Sequence, residues 1–206
     1  MELKDQLKKL IELQNWSAVR TWFTYWETPE EQAEKVLLWG RMIFQDYFRD
    51  PSPIFHLDLI QRNFSDKNEF TAAPRGFSKT TINQLCIMYE VVYKLQPFIV
   101  VVEKTFNEAA EVLEAIRHEF KENTHLNKLY GNIIVKHEKD KDAYGDLVIN
   151  DVRLRAKGFD APIRGMKHKA WRPTKIYVDD VEKDEHINSI DQREKYKDRF
   201  ISGILP

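Results

Sequence analysis

Through the first fifty positions the apolar residues fall repeatedly on a helical face. Leu3, Leu7, Leu10 and Ile11 recur at three- and four-residue intervals, and Trp16, Val19, Trp22, Phe23 and Trp26 carry the pattern on. Thr28-Pro29-Glu30-Glu31 marks a fresh helix start, with Thr28 as cap and Pro29 in the first turn, and that helix is predicted to reach about residue 48. Asp50-Pro51-Ser52-Pro53 breaks the chain. Beyond it the pattern alternates. A short helix over 55–62 precedes a strand-like piece at 69–72, and a helix follows over 82–93, ended by Gln96-Pro97. The continuous apolar run Phe98-Ile99-Val100-Val101-Val102 reads as a strand buried on both faces. Thr105-Phe106-Asn107-Glu108 opens a helix reaching about residue 122. Residues 132–158 read as antiparallel strands (133–135, 146–149 and 152–155), with Asn150-Asp151 as a tight hairpin turn. A basic loop punctuated by Gly158, Pro162, Gly165 and Pro173 leads to a β-rich run at 175–178, and Ser189 caps a last helix over 189–202.

Helices followed by alternating strands and helices predict an α/β fold: a mainly parallel sheet flanked by helices, with a β-hairpin insertion. The break at 50–53 divides the expectation into an N-terminal helical subdomain, residues 1–50, and a core over 51–206. With 206 residues, 42% of them hydrophobic, the chain can bury a real core. Its formal net charge of −1 speaks against a generic nucleic-acid coat, though local basic patches such as Lys167, His168 and Lys169 leave backbone contact open beside a solvated charge run. No apolar run has membrane-spanning length, and the polar start Met1-Glu2-Leu3-Lys4 does not read as a signal peptide. The single cysteine, Cys86, excludes a disulfide framework and reads as a core residue in a reducing cytosol. His118, His125, His137, His168 and His186 lack metal-ligand spacing. The N-terminal aromatics are expected to pack rather than to stack bases.

Two segments carry chemistry. The first is Ala73-Pro74-Arg75-Gly76-Phe77-Ser78-Lys79-Thr80-Thr81, set between the strand-like 69–72 and the helix-like 82–93. Strand, tight loop, Lys-Thr and helix is the layout of a phosphate-binding loop. Triphosphate oxygens need backbone N–H groups at a helix N-terminus, where the dipole also favours negative charge. Lys79 supplies the ammonium and Thr80 the hydroxyl for a magnesium ion; Arg75, Gly76, Phe77, Ser78 and Thr81 complete the loop. The usual loop has glycine at the positions of Ala73 and Ser78, so backbone freedom here is expected to sit at Gly76. The second segment is Lys175-Ile176-Tyr177-Val178-Asp179-Asp180-Val181-Glu182, a short strand ending in acids. Ligands of open α/β sheets gather at the carboxyl ends of strands. Asp179 reads as the magnesium-side acid and Asp180 or Glu182 as the acid that orients water. Glu103 and Lys104 read as a solvated turn or the rim of a nucleotide cleft. Gln61 and His56, just before the loop, are placed where adenine is held in such enzymes.

These segments, in this order, resemble the ATPase domain of phage large terminases, the DNA-packaging motors, over residues 55–206. The matching pieces are the loop with Arg75, the strand at 98 with its helix, the hairpin, Ile163-Arg164-Gly165, and Trp171-Arg172-Pro173 leading into the acidic strand. The resemblance implies a P-loop NTPase fold, ATP and Mg2+ as cofactors, and hydrolysis that drives double-stranded DNA into a capsid. It also implies the portal protein and the small terminase subunit as partners, a homo-oligomeric ring when assembled, and the host cell cytoplasm as location, with no membrane partner. Arg164, in a Gly- and Pro-punctuated loop suited to reaching outward, is placed as the arginine that meets a neighbouring subunit's phosphates. Arg172 competes with it but reads as a packed strand entry. The family continues into a nuclease domain, so the chain is read as an N-terminal piece, monomeric when isolated, without nuclease activity. Two other readings stay open: a helicase-like, nucleic-acid-stimulated ATPase, and a non-catalytic nucleotide-binding assembly module.

Overall fold

The computed structural model describes residues 2–69, 71, 74, 76–131, 133, 142–181, 194, 197 and 198. In chain order the elements are α1 (Leu3–Glu12), α2 (Trp16–Trp22), α3 (Pro29–Ile43), α4 (Phe55–Asn63), α5 (Lys79–Val92), β1 (Phe98–Glu103), α6 (Phe106–Glu122), α7 (Thr124–Tyr130), β2 (Asp142–Ala143), β3 (Asp146–Ile149), β4 (Val152–Gly158) and β5 (Lys175–Val178). Helices with a mixed sheet place the chain in the α/β class. The chain forms two compact units, Met1–Tyr93 with Phe120–Ile133, and Lys94–Glu119 with Ile134–Pro206.

The first unit is helical, and its helix starts follow from local chemistry. Thr28 caps α3 by accepting from the Glu31 N–H at 3.2 Å, with Pro29 at the first position, where no intrahelical donor is needed. Asn15 and Asn123 cap α2 and α7 in the same way. Helix α3 ends at Ile43, short of the expected residue 48, and α7 is an element that the sequence pattern did not separate from α6. The aromatics form the core. Phe23, Trp39, Phe44 and Tyr89 are fully buried, and the Trp39 and Tyr89 rings meet edge to face at 5.4 Å. Their polar atoms are satisfied internally: the Tyr89 hydroxyl donates to the Phe23 carbonyl, and Trp39 Nε1 donates to the Tyr130 hydroxyl at 2.8 Å. The Tyr130 and Tyr93 hydroxyls bond to each other. Arg20 reaches the Leu129 carbonyl at 2.8 Å, so α7 is tied to both α2 and α3. Lys35, buried beneath Trp22, is neutralised by Glu31 at 2.9 Å. The break at 50–53 links α3 to α4 inside this unit. Cys86 lies buried on α5.

The expected strand before the loop is not among the five. Glu69 and Thr71 have no strand pairing, Glu69 being held instead by Arg62 at 3.3 Å, and Phe70 and Ala72 lie outside the described residues.

The second unit is built on a sheet of order β2-β3-β4-β1-β5. β1 pairs in parallel with β4 and with β5, while β2–β3 and β3–β4 are antiparallel. The hairpin is therefore not an insertion beside the sheet: its second strand, β4, is the direct neighbour of β1. Asn150 and Asp151 both adopt left-handed backbone (φ 52° and 67°), as a two-residue hairpin turn matched to strand twist requires. Phe98, Val100 and Val102 of β1 pack with Phe159, Ile163 and Met166, and Ile176, Val178 and Val181 join them. Arg153 crosses this end of the sheet with two hydrogen bonds to Asp146, at 2.9 and 2.8 Å. Thr105 and Glu108 form a reciprocal capping box at the head of α6. The strand expected at 133–135 lies outside the described residues save Ile133, which is not in a strand; of the helix expected at 189–202, Glu194, Lys197 and Asp198 are described and helical.

The Tyr130 hydroxyl is the acceptor for a fully buried indole. Tyr130→Phe should cost about 1–3 kcal/mol, the range for orphaning a buried donor, measured by urea unfolding. A loss below about 0.5 kcal/mol would mean that the Trp39 N–H finds another acceptor.

Candidate functional site

The phosphate-loop segment belongs to the first unit. Lys79 is the first residue of the 14-residue helix α5, with Thr80 and Thr81 in the same turn. The first turn of any α-helix holds N–H groups that lack intrahelical acceptors, at the positive end of the helix dipole. Ser78, the N-cap position, makes no side-chain capping bond and sits in the left-handed region at φ 54°, ψ 28°. Gly76 has φ 84°, and a Cβ there would meet nothing within 4 Å. The chain thus reverses hand twice before the helix. Backbone freedom is used at Gly76 as expected, and also at Ser78, where the usual loop has glycine and this chain does not. Lys79 and Thr81 are half-buried, while Gly76, Phe77, Ser78 and Thr80 are exposed. Arg75 lies outside the described residues.

Helix α4 braces this loop. The Phe77 ring lies 4.8 Å from that of Phe55, and the Phe77 backbone bonds to His56. Burial pushes the His56 imidazole below its ordinary pKa, opposed by that bond. His56 therefore serves the loop's backbone. Gln61 donates to Glu30 at 2.9 Å, which ties α4 to the start of α3. Asn63 and Asn83 join α4 to α5 at 3.0 Å.

The acidic segment belongs to the second unit. β1 and β5 run in register, Val102 opposite Val178, and the ladder continues one bond further as Asp179 N–H donates to the Val102 carbonyl at 3.0 Å. Asp179 is half-buried. Asp180 is exposed, left-handed at φ 39°, and its N–H is held by the Asp179 carboxylate at 3.1 Å. Glu182 lies outside the described residues. Arg164 is presented by a tight turn. Ile163 and Met166 are buried in the sheet's core, Met166 N–H donates to the Ile163 carbonyl at 3.3 Å, and Gly165 takes φ 85°. Two apolar anchors thus hold the turn and leave Arg164 exposed. Trp171 is not the packed entry that its sequence context suggested: it is 53% exposed, in a tight turn closed by paired backbone bonds with His168.

The residue that sequence reading placed as a solvated turn is Glu103. It ends β1 and is only 8% exposed. Burial, together with the charges of Asp179, Asp180 and Glu108, pushes its carboxyl up to about 8. The apolar run 98–102 hid it, because that pattern stops one residue before the strand does. Among the described residues no group of three or more His, Cys, Asp or Glu side chains is arranged to hold a metal ion by itself. Magnesium in nucleotide sites is commonly bound through one or two protein ligands plus substrate phosphates, a demand that Thr80 and Asp179 match in kind. No family model, curated protein or solved structure matches this chain.

The left-handed serine carries a measurable strain. Ser78→Gly should leave stability unchanged or raise it by up to about 1 kcal/mol, since relief of that strain is partly offset by unfolded-chain entropy. Ser78→Val should cost at least about 1 kcal/mol, because a branched side chain tolerates that conformation poorly. A glycine variant with a lower denaturation midpoint would contradict the assignment of strain. For Glu103, the folded state holds its proton to higher pH than the unfolded chain does. Its ionisation penalty is absent below about pH 4.5, grows as pH rises, and is complete above about pH 8. Glu103→Gln should therefore gain stability relative to wild type across that window and keep a constant gain above it. Within the window the gain should grow by about 1.4 kcal/mol per pH unit at most. A difference between the two proteins that does not change with pH would refute this.

Proposed function

We propose that this chain is a nucleotide-binding ATPase, and that it is the ATP-hydrolysing motor domain of a DNA-packaging large terminase, with a P-loop NTPase fold. The observation that carries the reading is the backbone of the loop. Gly76 and Ser78 are both left-handed immediately before Lys79 opens a long helix, so a serine takes the conformation for which phosphate loops use glycine. The acids at the carboxyl ends of adjacent parallel strands are the second support.

In this reading Lys79 and the loop amides bind the terminal phosphates, with Arg75, Phe77 and Thr81 around them and Gln61 toward the base. Thr80 and Asp179 hold magnesium, whose role is to neutralise charge on the phosphates. Asp180 or Glu182 orients water, and Arg164 stabilises transition-state charge at a neighbouring subunit, which fits its exposed, firmly anchored turn. Phosphoryl transfer needs such positioning more than covalent chemistry. Double-stranded DNA, the portal protein, the small terminase subunit and a homo-oligomeric ring belong to the same proposal, as does the host cell cytoplasm. Among the described residues no helix is long and apolar enough to cross a membrane.

The test is binding. With Mg2+ and a nucleotide at about 100 times its Kd, the protein should gain about 2.7 kcal/mol of stability, read as a thermal shift. Lys79→Ala should abolish that gain and the titration signal of a fluorescent ATP analogue. An unchanged shift in Lys79→Ala would end the phosphate-loop assignment.

A further inference from the structure

Phe98, Val100 and Val102 of β1 face one side of the sheet, packed with Phe159, Ile163 and Met166, and Ile176 and Val178 of β5 face the same cluster. Side chains alternate along a strand. Glu103, which ends β1, and Asp179, which follows β5, therefore both leave on the opposite face. They are level with each other across a strand spacing of about 4.8 Å, because Val102 and Val178 are register partners. Glu103 is 8% exposed, and its carboxyl group accepts no hydrogen bond from a described residue. The charged groups that act on it are acids: Asp179, Asp180 and Glu108. A carboxyl that is buried, without a donor and surrounded by like charge costs stability unless something else satisfies it. Water is the smallest donor that can do so, and Asp179 beside it is the acid assigned to the magnesium side. Asp180 is placed differently. It is exposed, it leaves the strand path in a left-handed turn, and its side chain is one methylene shorter than a glutamate's.

We propose that Glu103 is the acid that holds and deprotonates the attacking water, next to Asp179, with Asp180 bordering the pair. This rests on the ATPase reading above. Glu103 accepts a proton as the water oxygen bonds to the γ-phosphorus. The bond from that phosphorus to the β–γ bridging oxygen breaks, its electron pair leaves on ADP, and the proton held by Glu103 passes afterwards to the phosphate product or to solvent.

The experiment compares wild type, Glu103→Gln, Glu103→Asp and Lys79→Ala in three measurements. These are Kd for a fluorescent ATP analogue with Mg2+, steady-state release of phosphate, and trapping of Mg·ADP with aluminium fluoride against beryllium fluoride. The first fluoride mimics the transferring group with water in line, and the second mimics bound ATP. Glu103→Gln should keep Kd within about threefold and keep its melting temperature, as a merely structural acid would not, and should still trap with beryllium fluoride. It should lose roughly a hundredfold or more in turnover together with the aluminium fluoride complex. Glu103→Asp, which keeps the charge but draws the carboxylate back by one methylene, should lose turnover as well, and it stands in if the glutamine variant fails to fold. Wild-type turnover or aluminium fluoride trapping in Glu103→Gln overturns the proposal and leaves the ATPase reading intact, provided that Lys79→Ala has lost binding. Wild-type protein that binds the nucleotide but neither turns over nor traps it also overturns the proposal. Wild-type protein that binds no nucleotide ends both readings.

Discussion

The parallel pairing of β1 with β5 is the constraint on which the acidic site depends. β1 is buried along its whole length and hydrogen-bonded on both sides, to β4 and to β5, so its register has no freedom. A slip of one residue would turn Val100 and Val102 out of the core they share with Phe159 and Met166, and would bring Val101 and Glu103 into it. The bond from Asp179 N–H to the Val102 carbonyl carries that register past the end of β5. The acids meet because the valines must pack. The apolar face of the sheet thus fixes the chemistry of its other face.

Buried acids and strained loops both draw on stability that the rest of each unit must supply. In the first unit the left-handed Ser78 is held by a framework of fully buried aromatics whose hydroxyl and indole groups bond to one another or to backbone, and by α4, whose Phe55 and His56 grip Phe77. In the second unit Glu103 is tolerated beside a strand of six buried residues and an Arg153–Asp146 pair that closes the far end of the sheet. Groups held in unfavourable states by an otherwise well-satisfied structure concentrate at functional sites. Ser78 and Glu103 are such groups.

Local features were legible in the sequence. The cap at Thr28 with Pro29, the capping box of Thr105 and Glu108, the Asn150-Asp151 turn, the buried run of β1 and the helix after the loop all arise from interactions within a few residues of chain, and they stand where periodicity and turn chemistry put them. The order of the phosphate-loop segment, the buried strand and the acidic strand was equally plain. What separates residues by long stretches of chain was decided by tertiary structure. Strand pairing made β4 a parallel neighbour of β1 rather than part of an appended hairpin. The same pairing drew Glu103 out of solvent and set it level with Asp179. The hand of the backbone at Ser78, invisible in a residue that rarely adopts it, was fixed by the bracing of the loop between α4 and α5. Periodicity reports the face on which a residue lies; burial, register and backbone hand depend on what the rest of the chain brings against that face.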